Sequence, residues 1–332
     1  MLFIFYAFVI HFPYLREYYL CIVFPLINVK LIKSYSNIRG SANLAKTGSS
    51  STSSGDTTKL GGYLAGLIEG DGTLITPTKD KSPSGTATVA SIQVVFALKD
   101  RPSALLLKSL FGGNVYESKG KNCVRWMLQD KKSVTRIVEL INGKFRTPKI
   151  NALHKMIDYL NVRGANIVKL PLDTSPLNSN AWLAGFVDAD GSFAIKGFSD
   201  KNTKTHLAIQ FYLSQRTHDI SGDSLKHIMS TIAEFLFVKL NERIMADKFA
   251  TFVINTSNRV SNKVLIDYLN TYPLLSSKLL DFKDWETANN IYINKLHKDP
   301  VQYEKLRELK ENMNNRRVFF NWDHHRAEIY GL

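Results

Sequence analysis

The stretch GGYLAGLIEGDGTL at residues 61–74 returns as NAWLAGFVDADGSF at residues 180–193, displaced by 119 residues. Each copy reads as an apolar helix that ends at an acid followed by glycine and then runs into a strand. Glycine just after the last helical residue is typical of a helix stop. Because a whole helix–strand unit recurs, the sequence predicts two copies of one fold in tandem.

Small residues recur at every fourth position of both copies. They are Gly62, Gly66 and Gly70 in the first copy and Ala181, Gly185 and Ala189 in the second. Positions four apart share one face of a helix. Glycine inside a helix costs roughly 1 kcal/mol relative to alanine, so three glycines in one helix require a compensating contact. We therefore predict that helix 62–70 packs closely against helix 181–189.

Alternating apolar and polar segments follow each copy and predict strands with one covered and one solvent-facing side. The segments are SIQVVFAL (91–98), NCVRWMLQ (122–129), HLAIQFYLS (206–214) and KFATFVINTS (248–257). Helical patterns accompany them at 101–111, 132–143, 223–236 and 262–270. Each half therefore reads αββαββα, which predicts an antiparallel sheet with helices on one face and a polar, open second face.

The charge balance of the chain is strongly basic. Among 332 residues, 43 are Lys or Arg and 29 are Asp or Glu, which gives a net charge of +14. Such a charge favours a polyanionic partner, either nucleic acid or an anionic membrane, although a merely basic solvated surface has the same composition. The two cysteines, Cys21 and Cys123, are too few for a disulfide-rich scaffold or a CxxC metal site.

The N-terminal 30 residues are apolar, but polar residues interrupt them before the roughly 20 apolar residues of a membrane span are reached. They are typical of a leader, a targeting segment or one weak membrane helix. A linker rich in Ser, Thr and Gly follows at residues 46–58. We divide the chain into leader and linker (1–55), first repeat (56–165), connector (166–179), second repeat (180–300) and basic C-terminal tail (301–332).

Each predicted helix ends in an acid, Asp71 in the first copy and Asp190 in the second. An acid in the last turn is unfavourable, since the helix C-terminus already carries partial negative charge. If the two helices pack in parallel, the two carboxylates meet, and their repulsion raises one pKa unless a cation neutralises them. Hard oxygen ligands suit Mg²⁺, and metal-assisted phosphodiester hydrolysis is the reaction that such a site favours.

The motifs LAGLIEGDG (64–72) and LAGFVDADG (183–191) each match seven letters of LAGLIDADG. Over about residues 56–300 the chain resembles the LAGLIDADG homing endonucleases, in particular the single-chain, two-repeat members encoded in organellar introns. The resemblance implies an α+β fold of two pseudo-symmetric αββαββα repeats that form a DNA-binding saddle around a central two-helix interface. It also implies a mitochondrial monomer that cuts both strands of a long asymmetric DNA target with Mg²⁺, for which Mn²⁺ substitutes.

The resemblance also assigns site residues. Asp71 and Asp190 map to metal ligands, joined by the backbone carbonyls of Gly70 and Ala189. Lys149 and Lys278 map to a basic catalytic residue late in each repeat. We treat the sixth motif residues, Glu69 and Asp188, as structural or outer-shell groups.

The resemblance also implies a polar residue near the metal after the second strand of each repeat. The second half offers Gln215 there, whereas the first half offers Leu98, followed by Lys99. We assign as DNA contacts the polar side chains on or beside the predicted open sheet faces, namely Lys99, Arg125, Gln129, Lys196, Gln210 and Arg216. The unequal pair Leu98 and Gln215 predicts unequal cleavage of the two strands.

Other functions remain open at this point. The family that the chain resembles also includes intron maturases, which are RNA-binding splicing cofactors, so the resemblance implies the host intron RNA as a second candidate partner. A DNA-binding regulator without catalysis predicts the loss of a motif acid, and both acids are present. An intein is disfavoured, because no splice-junction Cys or Ser frames the repeats.

Overall fold

A computed structural model describes residues 54–79, 81, 84–118, 120–198, 206–244, 249–325 and 330. The apolar leader lies outside these residues. Within them, no helix combines the length and the apolarity needed to cross a membrane.

The first repeat alternates helices with pairs of strands. Its elements are α1 (Ser54–Asp71), β1 (Gly72–Ile75), β2 (Ser91–Ala97), α2 (Arg101–Phe111), β3 (Asn114–Glu117), β4 (Cys123–Leu128), α3 (Lys131–Ile141) and α4 (Ile150–Asn161). All strand pairs are antiparallel, and the strand order across the sheet is β1-β2-β4-β3.

The second repeat has the same order of elements. They are α5 (Trp182–Asp190), β5 (Gly191–Lys196), β6 (Ala208–Arg216), α6 (Lys226–Phe235), β7 (Asn241–Ile244), β8 (Ala250–Thr256), α7 (Arg259–Thr271) and α8 (Lys278–Ile293), followed by α9 (Pro300–Glu311). Its antiparallel sheet has the order β5-β6-β8-β7, which is that of the first sheet. The predicted α+β architecture of two αββαββα repeats is confirmed.

The sequence patterns do not locate two strands and three helices. The αββαββα order predicts β3 and β7 but not their positions, because each has only four residues and β7 is exposed at every position. Helices α4, α8 and α9 were also not located. The segments that were located, such as the helix at 101–111 and the strand at 91–98, end within a few residues of the observed elements.

Each sheet buries one face under its helices. Val124, Trp126 and Leu128 of β4 are fully buried, as the alternation of NCVRWMLQ predicts. The opposite face of the first sheet is less open than predicted. Val95 and Cys123 form a small, separate buried cluster there, because two apolar side chains fall on the outward register of neighbouring strands.

The small-residue stripes of α1 and α5 face each other. A Cβ added to Gly66 would overlap the carbonyl oxygen of Trp182 and lie 2.7 Å from the amide nitrogen of Phe186. A Cβ added to Gly185 would overlap the carbonyl oxygen of Tyr63 in the same way. The two helix backbones are therefore in direct contact, as predicted, and no side chain larger than hydrogen fits at Gly66 or Gly185.

The chain beyond α9 packs against the second repeat. Asn314 Nδ2 donates to the carbonyl oxygen of Phe193 at 3.0 Å, and the Arg317 guanidinium pairs with Asp281 and Asp284 at 2.9 and 2.5 Å. These contacts place residues 314–317 over the start of α8.

The aromatic ring of Tyr330 reaches the central helices. Its centroid lies 5.4 Å from that of Tyr63 in α1, and its hydroxyl donates to the carbonyl oxygen of Pro273 at 2.7 Å. Tyr330 is buried, so this residue belongs to the packed body of the protein.

Candidate active site

The two motif acids end the two central helices side by side. Asp71 is the last residue of α1 and Asp190 the last of α5. A Cβ added to Gly70 would lie 2.8 Å from Asp190 Oδ2, so the Asp190 carboxylate approaches the backbone that leads into Asp71. Burial raises the pKa of Asp190, while Lys278 and Lys149 oppose that shift. The two motif helices therefore end side by side, as their parallel packing predicts.

Lys149 and Lys278 each cap the end of the motif helix in their own repeat. Lys149 Nζ donates to the carbonyl oxygens of Ile68, Glu69 and Gly72 at 3.0, 2.6 and 2.9 Å, and Lys278 Nζ donates to those of Val187, Asp188 and Ala189 at 2.9, 2.7 and 3.1 Å. The last carbonyls of a helix have no partner within the helix. An ammonium at this end also offsets the unfavourable placement of the motif acid.

The electrostatic setting of Lys149 follows from its burial. Burial lowers the pKa of its amine, while the nearby carboxylates of Glu69, Asp190 and Asp71 oppose that shift. The amine therefore lies within the field of both motif acids. A role of Lys149 and Lys278 in catalysis stays a prediction. Both amines lie at the C-terminal ends of the motif helices.

The sixth motif acids hold the segments from which these lysines project. Glu69 accepts hydrogen bonds from the backbone amides of Arg146 and Thr147, at 3.0 and 2.6 Å. Asp188 accepts from the amides of Leu275 and Ser276, at 2.7 and 3.0 Å. Each acid thereby fixes the chain two to three residues before a lysine, which gives physical content to the structural role assigned from the sequence.

Each sixth-position acid also receives a hydrogen bond from the other repeat. The Tyr63 hydroxyl donates to Asp188 Oδ2 at 2.6 Å, and the Trp182 indole nitrogen donates to Glu69 Oε2. Tyr63 and Trp182 are themselves 119 residues apart, so they occupy equivalent positions of the two motifs. This reciprocal pair was not predicted, although the repeat offset aligns its two donors.

Gln215 contacts the second motif acid, but the prediction of Leu98 as its counterpart in the first repeat is wrong. Gln215 Nε2 donates to Asp190 Oδ2 at 2.7 Å. In the two sheets Gly72 pairs with Val94 and Gly191 pairs with Leu213, so Gln215 corresponds to Phe96. Leu98 instead lies past the end of β2, in a short 3₁₀ turn at 98–100. The 119-residue offset leads directly from Gln215 to Phe96, so the sequence held the signal for the correct residue.

The donor set at the helix ends fits a hard divalent cation. Both motif acids stand at adjacent helix ends, and burial raises the pKa of Asp190, so a cation there would favour its ionised form. Within the described ranges, no cluster of three or more His, Cys, Asp and Glu side chains is arranged to hold a metal. Carbonyl, water or phosphate oxygens would therefore complete the coordination. The Ala189 carbonyl, one predicted ligand, accepts a bond from Lys278, which leaves its second lone pair for a cation.

The residues assigned to DNA contact lie on the outer faces of the sheets or at strand ends. Arg125, Lys196, Gln210 and Arg216 are on outward registers, Gln129 is exposed just beyond β4, and Lys99 lies in the turn after β2. Arg243 belongs to the same outer face and was missed, because β7 was not located. Its guanidinium donates to the Tyr212 hydroxyl at 2.7 Å. Contact of these residues with DNA stays a prediction.

The family profile described as LAGLIDADG endonuclease matches the chain twice, at residues 64–160 and 183–289. The chain belongs to the LAGLIDADG endonuclease family. The two matched segments coincide with the two structural repeats, and the resemblance drawn from the two motifs is confirmed.

Named relatives of this LAGLIDADG chain are encoded in introns. The intron-encoded DNA endonuclease aI3 of Saccharomyces cerevisiae is 33% identical over 301 residues, which cover 80% of this chain and 72% of the relative. The intron-encoded RNA maturase bI4 of the same yeast is 34% identical over 131 residues, which cover 39% of this chain and 18% of the relative. Sequence similarity therefore extends to both an endonuclease and a maturase.

Solved structures share the LAGLIDADG fold. The I-LtrWI LAGLIDADG homing endonuclease bound to its target DNA superposes with a TM-score of 0.56 at 19% identity, over 79% of this chain and all of that one. At this identity the comparison establishes the architecture alone. It places the two repeats in the arrangement predicted from the motifs.

The buried Glu69 of the first LAGLIDADG motif predicts a pH dependence of stability. Burial raises its pKa to about 7 from an ordinary 4.5, while hydrogen bonds from Thr147 and Trp182 oppose the shift. Because the pKa of Glu69 is higher in the folded than in the unfolded protein, its protonated form stabilises the fold. That contribution is complete below pH 4.5 and is lost as pH rises through 7. The wild type should therefore lose up to about 3 kcal/mol of unfolding free energy across that window relative to Glu69→Gln.

Urea denaturation at several pH values between 4.5 and 8 measures this difference. The exposed Glu308→Gln is the matched control, and its pH profile should follow that of the wild type. Parallel profiles for the wild type and Glu69→Gln would contradict the prediction.

Proposed function

We propose that this LAGLIDADG protein is a homing endonuclease that makes a site-specific, metal-dependent double-strand break in a long asymmetric DNA target. The observation that carries the proposal is the convergence of Asp71 and Asp190 at the ends of two helices in direct contact. Both acids belong to one chain, so we propose that the enzyme acts as a monomer. The intron-encoded relatives support an organellar, mitochondrial origin.

Two unequal catalytic centres share the helix interface in this proposal. One contains Asp71 and Lys149, and the other contains Asp190, Lys278 and Gln215. A bound Mg²⁺ or Mn²⁺ ion would stabilise negative charge on the attacking and leaving oxygens of the phosphodiester. The lysine amines add positive charge beside that phosphate, and Gln215 fixes one oxygen of the Asp190 carboxylate.

The outer faces of the two sheets would hold the DNA. Basic and aromatic groups lie together on the second sheet, where Lys196 Nζ is 5.8 Å from the centroid of the Tyr212 ring. Phosphate contacts from such lysines and arginines supply much of the affinity and make it depend on salt. The unequal surfaces of the two repeats suit a target whose half-sites differ in sequence.

The test is cleavage of a plasmid that carries the uninterrupted exon junction of the host gene. Linear product should form with Mg²⁺ or Mn²⁺, and binding without cleavage should occur with Ca²⁺. The matched control plasmid carries the same exons with the intron in place and should stay supercoiled. Binding without any cleavage in Mg²⁺ and Mn²⁺, or equal cleavage of both plasmids, would overturn the proposal.

The asymmetry between Gln215 and Phe96 predicts sequential cleavage. A polar group that orients the metal-binding carboxylate is present in one centre only, and such positioning groups are worth about 10- to 100-fold in activity. A nicked intermediate should therefore accumulate before linear product, always cut in the same strand. Gln215→Leu should slow the faster strand and reduce the difference between the two.

Strand-specific end labelling over a time course measures both rates. Gln302→Leu is a control at a glutamine of α9, outside the motif helices and the residues assigned to DNA contact, and it should leave the ratio of the two rates unchanged. Equal rates on both strands of the wild type would refute the asymmetry and leave the nuclease proposal intact.

A second candidate function is maturation of the host intron RNA, which the match to a yeast RNA maturase favours. Splicing does not require the paired acids to cut DNA. A variant that carries both Asp71→Asn and Asp190→Asn should therefore still accelerate splicing of the intron transcript if the protein is bifunctional. An unchanged splicing rate with wild-type protein would exclude this second function.

A further inference from the structure

A buried carboxylate of the first repeat reaches into the second catalytic centre. Asp100 precedes helix α2 and is only 8% exposed. Its Oδ1 accepts a hydrogen bond from the backbone amide of Ser277 at 2.7 Å. Ser277 directly precedes Lys278, so the bond crosses between repeats at the base of the second catalytic lysine.

Asp100 is positioned as a helix cap but does not cap its own helix. An aspartate before the first turn normally accepts a bond from an amide of that turn, yet Asp100 makes no such side-chain bond with α2. Its carboxylate instead meets the N-terminus of α8, where an acid is electrostatically favoured. Ser103 of α2 adds a second contact, since its hydroxyl donates to the carbonyl oxygen of Leu275 at 3.1 Å.

Asp219, the equivalent acid of the second repeat, makes no such bond to the residue before Lys149. The 119-residue offset relates Asp100 to Asp219, and Lys149 corresponds to Lys278, so Pro148 stands where Ser277 stands. Proline has no amide hydrogen to donate. Asp219 instead accepts bonds from the amides of Ser221 and Asp223 within its own turn, at 2.8 and 2.9 Å.

We propose that Asp100 is a positioning residue for Lys278, a brace from the first repeat to the second catalytic centre. Cleavage of one DNA strand would then depend on Asp100. The bond fixes the first turn of α8, from which the Lys278 amine reaches the end of α5. Its consequence for cleavage rests on the proposed endonuclease function. The brace itself is a property of the folded chain and can be measured without DNA.

The first measurement is strand-resolved, single-turnover cleavage by the full chain. Lys278→Met defines the strand that depends on the second centre. Asp100→Ala should slow that same strand about tenfold or more, since small misplacements of a reacting group are costly, and should leave the other strand within about twofold. Asp100→Asn keeps an oxygen that can accept from Ser277 and should restore most of the rate.

Asp130→Ala is the matched control. Asp130 caps α3 by accepting from the Ser133 amide at 2.8 Å, so its loss also removes a carboxylate–amide bond at a helix start. It should lower the melting temperature without changing the ratio of strand rates. Equal slowing of both strands by Asp100→Ala, or no slowing of either, would overturn the proposal.

Amide hydrogen exchange is the second measurement and needs neither DNA nor metal. In Asp100→Asn and Asp100→Ala protein, exchange should be faster in residues 274–280, most strongly in the alanine variant, and unchanged in residues 145–151. Unchanged exchange in 274–280 would overturn the proposal whether or not the wild type cuts DNA. If the variants show the faster exchange but the wild type cuts no target, only the endonuclease function is contradicted.

Discussion

Asp71→Asn and Asp190→Asn are each expected to abolish double-strand cleavage, with the rate reduced by at least about 10³-fold, as for other essential catalytic groups. Asparagine keeps the shape of the side chain but removes the charge that would hold a divalent cation. Binding of the target should survive, because the residues proposed to contact DNA lie on the sheets and at strand ends. Cleavage in Mg²⁺ and gel shifts in Ca²⁺ separate the two effects.

The stability of Asp190→Asn provides an independent readout. Burial raises the pKa of Asp190, because loss of contact with water disfavours its charged form. Without metal, the variant should therefore melt at or above the temperature of the wild type. Asp267→Asn, which loses only an exposed pair with Lys263, is the control and should cut normally. Full cleavage by either motif variant would show that the substituted aspartate is not a metal ligand.

Much of the site was predictable because the repeat places it. Local periodicity fixes where α1 and α5 run, and the Asp–Gly step fixes where they end, so Asp71 and Asp190 follow from the sequence alone. The same repeat offset identifies Phe96 as the counterpart of Gln215. The assignment of Leu98 failed because it followed the end of an apolar run instead of the offset.

Other features depend on contacts that no local pattern encodes. The hydrogen bond from Tyr63 to Asp188 spans 125 residues, and that from Ser277 to Asp100 spans 177. Both acids also look like ordinary polar residues of a helix and a turn. Strand β7 has no buried side chain, so it forms through pairing with β8 and leaves no amphipathic signal.

The contact between the two central helices predicts the largest effect on stability. Gly66→Ala and Gly185→Ala each add one methyl group, which would overlap a backbone carbonyl of the opposite helix. Backbone atoms cannot rotate away as a side chain can, so the helices must move apart. We expect a loss of about 3 kcal/mol or more, although alanine favours the helix by roughly 1 kcal/mol. Thermal unfolding should show a melting temperature lower by roughly 5 °C or more.

Gly62→Ala is the control on the same face of α1. Its added Cβ would lie 3.3 Å from the Ala181 amide nitrogen, a tight but tolerable distance, so its melting temperature should stay equal or rise slightly. Separation of the helices should also pull Asp71 away from Asp190. Gly66→Ala should therefore cut DNA more slowly even at temperatures where circular dichroism shows it fully folded. Wild-type melting and cleavage by Gly66→Ala would mean that α1 and α5 do not touch at this residue.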